Sequence, residues 1–248
     1  MKKLILIAIL GLTLAVGSAN ATIFEDNFDS YTGYWVDTLQ NASGGVWSTA
    51  PWGTGATGQD VKVGDITPGK AYFANAYYND VLRLCTVTTE TGLSDYTVNV
   101  EAWEKPDLSA GMRFYSVGRV TGTYTTYIGA GAIISSADGN VYLDFVQSGG
   151  GEPTANYYVA TWNPSMPIYV ELALSGDSVT GTVTHAGSTT TLSYTTSVLN
   201  AGAFGIGGQR PWGNAIGLFD NFSVIPEPAT VCLLTLGIGL AGLRRRKA

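Results

Sequence analysis

Glu101 and Glu104 come closest, by type and spacing, to a hydrolytic pair in this 248-residue chain. Retaining cleavage of a glycosidic bond uses two carboxyl groups about 5 to 5.5 Å apart, one as acid and base and the other as nucleophile. The surrounding run Tyr96-Thr97-Val98-Asn99-Val100-Glu101-Ala102-Trp103 alternates apolar and polar residues and reads as a strand. On a strand, a three-residue spacing sends the two carboxylates to opposite faces, and only a bulge would reunite them. The single histidine, His185, precedes Ala186-Gly187 in a Thr-rich hairpin and is expected to be a solvent-exposed turn residue. Cys85 sits in the apolar run 81–87, which suggests a buried, inert thiol, and Cys232 lies far off in a carboxyl-terminal apolar run. One histidine and one cysteine cannot assemble a His/Cys zinc site. Gly149-Gly150-Gly151 lacks the Lys-Ser/Thr and helix of a phosphate cradle and reads as a loop tip. The expectation is a chain with no catalytic residue and no metal.

Binding chemistry has more support. Tryptophan and tyrosine offer flat apolar rings with polar edges, suited to the C–H faces of pyranose rings, while neighbouring amides, carboxylates and guanidinium groups can satisfy hydroxyls. Trp103, Asn99, Glu101, Tyr115, Arg113, Tyr142 and Asp144 would compose such a platform if their strands share one sheet. Trp47, Trp52 and Trp212, beside Gly and Pro, would supply a rim.

The elements that must position these residues are strands. Between Thr22 and Ile225 no helical periodicity stands out, whereas short alternating runs recur with turn residues between them, the pattern of an antiparallel sandwich or barrel. Strands are predicted over 96–103, 111–117, 123–128, 141–147, 168–174, 178–185, 189–194 and 215–224. Tight turns are expected at Ser175-Gly176-Asp177, His185-Ala186-Gly187 and Ala137-Asp138-Gly139-Asn140. Side chains two apart share a face. Tyr96, Val98, Val100 and Ala102 therefore point inward with Val170, Leu172, Leu174, Val141, Leu143, Phe145, Met112 and Phe114. Asn99, Glu101, Trp103, Tyr169, Glu171, Tyr142, Asp144, Arg113 and Tyr115 point out.

Both ends of the chain carry targeting chemistry. Lys2-Lys3, the apolar stretch from Leu4 to Val16 and the triplet Ala19-Asn20-Ala21 form a secretory signal peptide over residues 1–21, with cleavage expected after Ala21. At the other end, Pro226-Glu227-Pro228 is followed by an apolar run to Leu243 and then Arg244-Arg245-Arg246-Lys247. The prolines fix φ and remove donors, so the tripeptide is expected to end any strand and stay accessible. The apolar run from Ala229 would span roughly 22 Å as a helix, short against a hydrocarbon core of about 30 Å, and the basic tail would remain cytoplasmic.

Of 13 Lys+Arg and 19 Asp+Glu, six cations and one acid belong to these segments, leaving 7 cations against 18 acids between Thr22 and Ile225, a net charge of −11. Such a surface repels phosphate backbones and argues against nucleic-acid binding. The remaining length suits one β-sandwich domain over residues 22–225, with the sorting segment at 226–248.

The order of tripeptide, apolar run and basic tail resembles the PEP-CTERM sorting signal of bacterial exported proteins. That resemblance implies recognition by an exosortase-type membrane protease, transient membrane anchoring, removal of the tail and delivery to the cell surface or an extracellular polysaccharide matrix. Pro226, Glu227, Pro228, Arg244, Arg245 and Arg246 would carry it. A second resemblance spans most of residues 22–225. The chain opens on Ile23-Phe24-Glu25-Asp26-Asn27-Phe28-Asp29, continues through Tyr169-Val170-Glu171-Leu172-Ala173-Leu174 and Phe204-Gly205-Ile206-Gly207-Gly208, and closes on Gly217-Leu218-Phe219-Asp220-Asn221-Phe222-Ser223-Val224. This order is similar to the concanavalin A-like lectin/glucanase superfamily, including laminin G-like jelly rolls. It implies two stacked antiparallel sheets, adjacent first and last strands, and often a glycan-binding face. It also implies a possible structural calcium near Glu25, Asp26 and Asp220. The laminarinase-like pattern Glu-x-Asp-x-x-Glu is absent, because Trp103 stands where the Asp would be. The reading is an all-β, two-sheet jelly roll, non-catalytic and surface-sorted, associated with extracellular polysaccharide or envelope and a candidate glycan binder. The alternative is a carbohydrate-active enzyme of the same fold.

Overall fold

The computed structural model describes residues 23–29, 47–50, 61–63, 69–73, 83–87, 93–104, 112–121, 126–198, 201–209 and 217–226. The signal segment with Ala19 and Ala21, the sorting residues Glu227, Pro228 and Arg244 to Arg246, and the rim candidates Trp52 and Trp212 lie outside these residues. The described chain is all strand: β1 (Phe24–Asp26), β2 (Trp47–Ala50), β3 (Val61–Val63), β4 (Ala71–Phe73), β5 (Arg83–Val87), β6 (Tyr96–Glu104), β7 (Met112–Val120), β8 (Ile128–Ile134), β9 (Asn140–Gln147), β10 (Tyr157–Thr161), β11 (Ile168–Ser175), β12 (Ser178–His185), β13 (Ser188–Thr195), β14 (Ala203–Gln209) and β15 (Gly217–Pro226). Among the described residues no helix is long and apolar enough to cross a membrane.

Two antiparallel sheets form. The first runs β13-β12-β11-β6-β15-β4-β3, with β1 also on β15, and the second runs β10-β9-β8-β7-β14-β5-β2. Inward residues of both interdigitate in one core: Val98, Val100, Leu172 and Val183 from the first sheet meet Phe114, Ala130, Leu143 and Phe145 from the second. The inward faces assigned by alternation are those found, since all of Tyr96, Val98, Val100, Ala102, Met112, Phe114, Val141, Leu143, Phe145, Val170, Leu172 and Leu174 are buried in this core. At one end Phe24, Trp47, Phe204 and Phe222 pack edge-on, tilted or, for Phe204 and Phe222, stacked, at centroid distances of 5.1 to 6.3 Å. Trp47 is therefore a core residue and no rim, and its Nε1 donates to Asp26 Oδ2 at 2.8 Å.

Glycine explains two of the strands that alternation missed, β8 and β14. The run predicted over 123–128 meets the observed β8 only at Ile128, because the body of β8 is Ile128-Gly129-Ala130-Gly131-Ala132-Ile133-Ile134, and glycine is a weak strand former. Gly131 lies opposite Tyr115 on β7 and Asp144 on β9. A Cβ at Gly131 would run into the Tyr115 ring and the Phe114 carbonyl. Its absence lets the Tyr115 ring lie across β8. On the other side of β7, Tyr115 and Val117 face Gly207 and Gly205 of β14.

Two further residues, His185 and Pro226, correct the sequence reading. His185 is 1% exposed, not a surface turn residue. It ends the inward set Val179, Gly181, Val183, and its Nδ1 lies 3.0 Å from the Pro167 carbonyl while Nε2 accepts from Asn163 N–H at 2.9 Å. These partners fix the tautomer with the proton on Nδ1. Pro226 does not interrupt the last strand. It is buried, is the final residue of β15, and pairs with Tyr96. Only its missing N–H forbids a further ladder bond, which a strand end tolerates.

Arg119 ties down the end of the sandwich where Tyr96 and Pro226 meet. Its side chain is buried, and its guanidinium donates to the carbonyls of Ser94 (3.0 and 3.1 Å), Val198 (2.6 Å) and Gly176 (2.6 Å), with Asp95 3.6 Å away. Its backbone N–H donates to Tyr96 Oη at 2.7 Å, and its φ of 51° lies in the left-handed region. Burial pushes the guanidinium pKa down, opposed by Tyr96 and Asp95. Replacing Arg119 with Ala leaves three carbonyls without their donor and is expected to lower unfolding stability by about 3 kcal/mol. Lys, a point charge without the planar fork, should recover less than half of that loss; urea unfolding midpoints of the two variants decide this. Gly131→Ala is expected to lose about 2 kcal/mol in the same assay, because the methyl must displace a packed ring.

Candidate functional site

The seven residues proposed as one aromatic and polar platform divide between two surfaces. Asn99, Glu101 and Trp103 stand on the outer face of the first sheet, and Arg113, Tyr115, Tyr142 and Asp144 on the outer face of the second. The sheets pack inner face to inner face, so the two sets look in opposite directions. Each residue does point outward as alternation requires. What a strand-by-strand pattern lacks is the sheet to which each strand belongs.

On the first sheet, register builds polar rows across neighbouring strands. One row runs Thr189, Thr184, Tyr169, Glu101, Asp220, and the next Thr191, Thr182, Glu171, Asn99, Ser223. Tyr169 is 51% exposed, in a field of hydroxyl, amide and carboxylate groups. A bulge in β15 sets Asn221 and Phe222 opposite Val100 alone. With φ at 48°, Asn221 aims its Nδ2 at Glu101 Oε2, 3.0 Å away, while Phe222 returns to the core. Trp103 Nε1 donates to Glu101 Oε1 at 2.6 Å, which fixes both oxygens of that carboxylate. Lys70 pairs with Asp220 at 2.6 Å, and its ammonium sits 4.7 Å from the Trp103 ring centroid. The Thr182–Thr191 and Thr184–Thr189 hydroxyls bond across the hairpin at 3.1 and 2.9 Å. A depression of ≈ 270 Å³ lies between Asn99, Glu101, Tyr169, Glu171, Thr182, Thr184 and Asn221.

The second sheet presents a different environment. Tyr115 is fully buried in a separate apolar cluster with Leu84, Val117, Val120 and Ala203, and its hydroxyl donates to Asp144 Oδ2 at 2.6 Å. Burial raises the Asp144 pKa, partly opposed by the Tyr115 hydrogen bond and by Arg113. Burial also raises the Tyr115 pKa well above the ordinary phenol value, reinforced by the Asp144 charge. These two residues are a buried brace and not an open platform. Closer to the β8–β9 turn, Arg113, Ser135, Asp138, Tyr142 and Asn156 line a hollow of ≈ 350 Å³. There the Tyr142 hydroxyl donates to Asp138, which lowers the Asp138 pKa and raises that of Tyr142.

Among the described residues Glu101 and Glu104 are not brought onto one face, and Glu25, Asp26 and Asp220 are not brought together as a cation site. β6 pairs with β15 without interruption from Glu101 to Glu104, so the bulge that would bring the pair onto one face is missing from that stretch. β1 and β15 are neighbours, with Phe24 opposite Val224, as adjacent first and last segments require. Asp26 is nevertheless an inward residue accepting from Phe28 N–H and Trp47 Nε1. Glu25 lies on the opposite face of β1, and Asp220 is bound to Lys70. These three acids do not fit a common calcium. Among the described residues no group of three or more His, Cys, Asp or Glu could hold a metal ion.

The signals missed in the sequence were Tyr169, Glu171, Thr182, Thr184 and Asn221 as companions of Glu101. Tyr169 and Glu171 were legible as outward residues. Their adjacency to Glu101 and Asn99 depends on β11 pairing with β6 across 67 intervening residues for Tyr169–Glu101 and 71 for Glu171–Asn99, which no local pattern announces.

Residues 224–247 match the PEP-CTERM protein-sorting motif. No curated protein is detectably similar in sequence. The fold is similar to that of a structure described among endo-acting O-glycanases of human gut microbiota members (TM-score 0.56, 10% identity, 84% of this chain and 100% of that one). It is also similar to lectin UEA-II complexed with galactose (TM-score 0.50, 8% identity, 84% of this chain and 100% of that one). A xylan β-1,4-xylosidase from Bacillus halodurans C-125 matches at TM-score 0.55 and 12% identity over 81% of this chain, which spans only 38% of the xylosidase. At these identities the likeness concerns the fold alone. The chain carries a PEP-CTERM protein-sorting motif at its carboxyl end, on a two-sheet jelly-roll sandwich of the concanavalin A-like lectin fold.

Proposed function

We propose that this protein is an exported, surface-sorted and non-catalytic glycan-binding sandwich, associated with extracellular polysaccharide or the cell envelope, whose ligand lies on the outer face of the first sheet. The observation that carries the reading is the exposed Tyr169 ring beside the depression edged by Asn99, Glu101, Glu171 and Asn221. An exposed ring stacks on the C–H face of a sugar while fixed amide and carboxylate groups receive its hydroxyls. The Trp103 and Asn221 bonds hold Glu101 in place before any ligand arrives, so little ordering is required on binding. Two carboxylates at the depression, and a surrounding net charge of −11 between Thr22 and Ile225, favour neutral or amino-bearing polysaccharides over uronates. Sorting is read from the matched motif: the apolar run after the tripeptide would anchor the chain transiently, and an exosortase-type membrane protease would remove the tail and release the domain outward.

Retention on insoluble neutral and amino-bearing polysaccharides is expected to fall about tenfold in Tyr169→Ala, the loss of one stacking contact, and to be unchanged in Asp138→Asn on the opposite face. Equal retention of both variants removes the site. Incubation with the same polysaccharides should release no reducing sugar. Release that disappears in Glu101→Gln would instead favour the carbohydrate-active enzyme. For sorting, the intact mass of the surface-released form should lack the residues after Pro228, and replacing Pro226-Glu227-Pro228 should leave the chain membrane-bound.

A further inference from the structure

The sorting motif and the folded sandwich overlap. The match begins at Val224, whereas β15 extends to Pro226. Val224, Ile225 and Pro226 lie opposite Val98, Thr97 and Tyr96 of β6. Val224 is fully buried and also faces Phe24 of β1, whose neighbour Ile23 donates its N–H to the Val224 carbonyl at 2.9 Å. Tyr96, the partner of Pro226, is itself fully buried and accepts the Arg119 N–H. The first residue of the tripeptide is therefore the last residue of a strand held in the sheet, with no spacer before it, at the end that Arg119 clamps through Ser94, Gly176 and Val198.

We propose that the fold gates its own processing: the residues on the amino-terminal side of the sorting tripeptide are strand residues, and they must leave β6 before a protease can take them into its cleft. A protease holds its substrate extended against its own groups, and Ile225 and Pro226 cannot lie in such a cleft and against Thr97 and Tyr96 together. Cleavage of a folded chain then follows the population of the locally opened form. The device rests on the sorting reading above. It adds that the folded domain sets the rate, holding the chain at the membrane between docking and release.

The test uses full-length chains in cells competent for this sorting, with the ratio of shortened to intact protein followed by intact mass. A six-residue Gly-Ser spacer inserted between Ile225 and Pro226 keeps the tripeptide whole and frees it from β6. Its shortening rate is expected to rise by about threefold or more. A Thr97→Cys, Ile225→Cys chain, oxidised during export, locks the paired position and is expected to be shortened at least about tenfold more slowly. The locked chain carrying the spacer distinguishes locking from misfolding and should be shortened at least as fast as the parent. One rate across all four chains overturns the gating while leaving the sorting reading intact. A parent and spacer chain that are never shortened overturn both.

Discussion

The last strand of the described residues, β15, is the one the first sheet cannot do without. β15 pairs with β6 along one side and with β4 and β1 along the other, so residues 217–226 join segments that begin at Phe24 and at Tyr96. Every strand pairing it makes closes a long loop, and such closure must be achieved before the buried surface rewards it. Phe219, Phe222 and Val224 contribute three of its inward side chains, and Phe222 completes the aromatic cluster with Phe24, Trp47 and Phe204. The sandwich can be completed only once its carboxyl-terminal strand has emerged, and that strand runs straight into the sorting motif.

The same strand shapes the outer surface. The bulge at Asn221 lets Phe219 and Phe222, three residues apart, both face the core, and it turns Asn221 toward Glu101. One extra residue therefore serves packing and the candidate binding surface together, as bulges near functional sites often do. The two outer faces have separated in character. The first is a polar field around the exposed Tyr169 ring and its neighbouring depression. The second carries glycine-lined flanks, a buried Tyr115–Asp144 brace, the exposed Tyr158 ring beside Tyr142 and a small hollow near its turn.

Alternation alone fixed which residues of β6, β7, β9 and β11 face the core, because a strand's side-chain period of two follows from backbone geometry and needs no partner. The expected turns at Gly139, Gly176 and Ala186-Gly187 are present with positive φ for the same local reason. Reading the turn at His185 for its flexibility hid what its own strand said: the parity of Val179 and Val183 already places His185 inside. The glycine-bearing strands β8 and β14 were obscured because glycine shows no face, although its missing side chain is the reason Tyr115 can reach Asp144.

By itself the sequence determined the carboxyl-terminal sorting motif, much of the strand content and the inward or outward sense of most side chains, since each depends on residues adjacent in the chain. Only the tertiary structure decided that Trp103 and Tyr142 stand on opposite faces, that Tyr169 neighbours Glu101, that Tyr115 points outward yet is buried, and that Pro226 is folded into a strand. These depend on which strands pair and in what register, and in a sandwich closed by its first and last segments those pairings join residues that lie far apart in sequence.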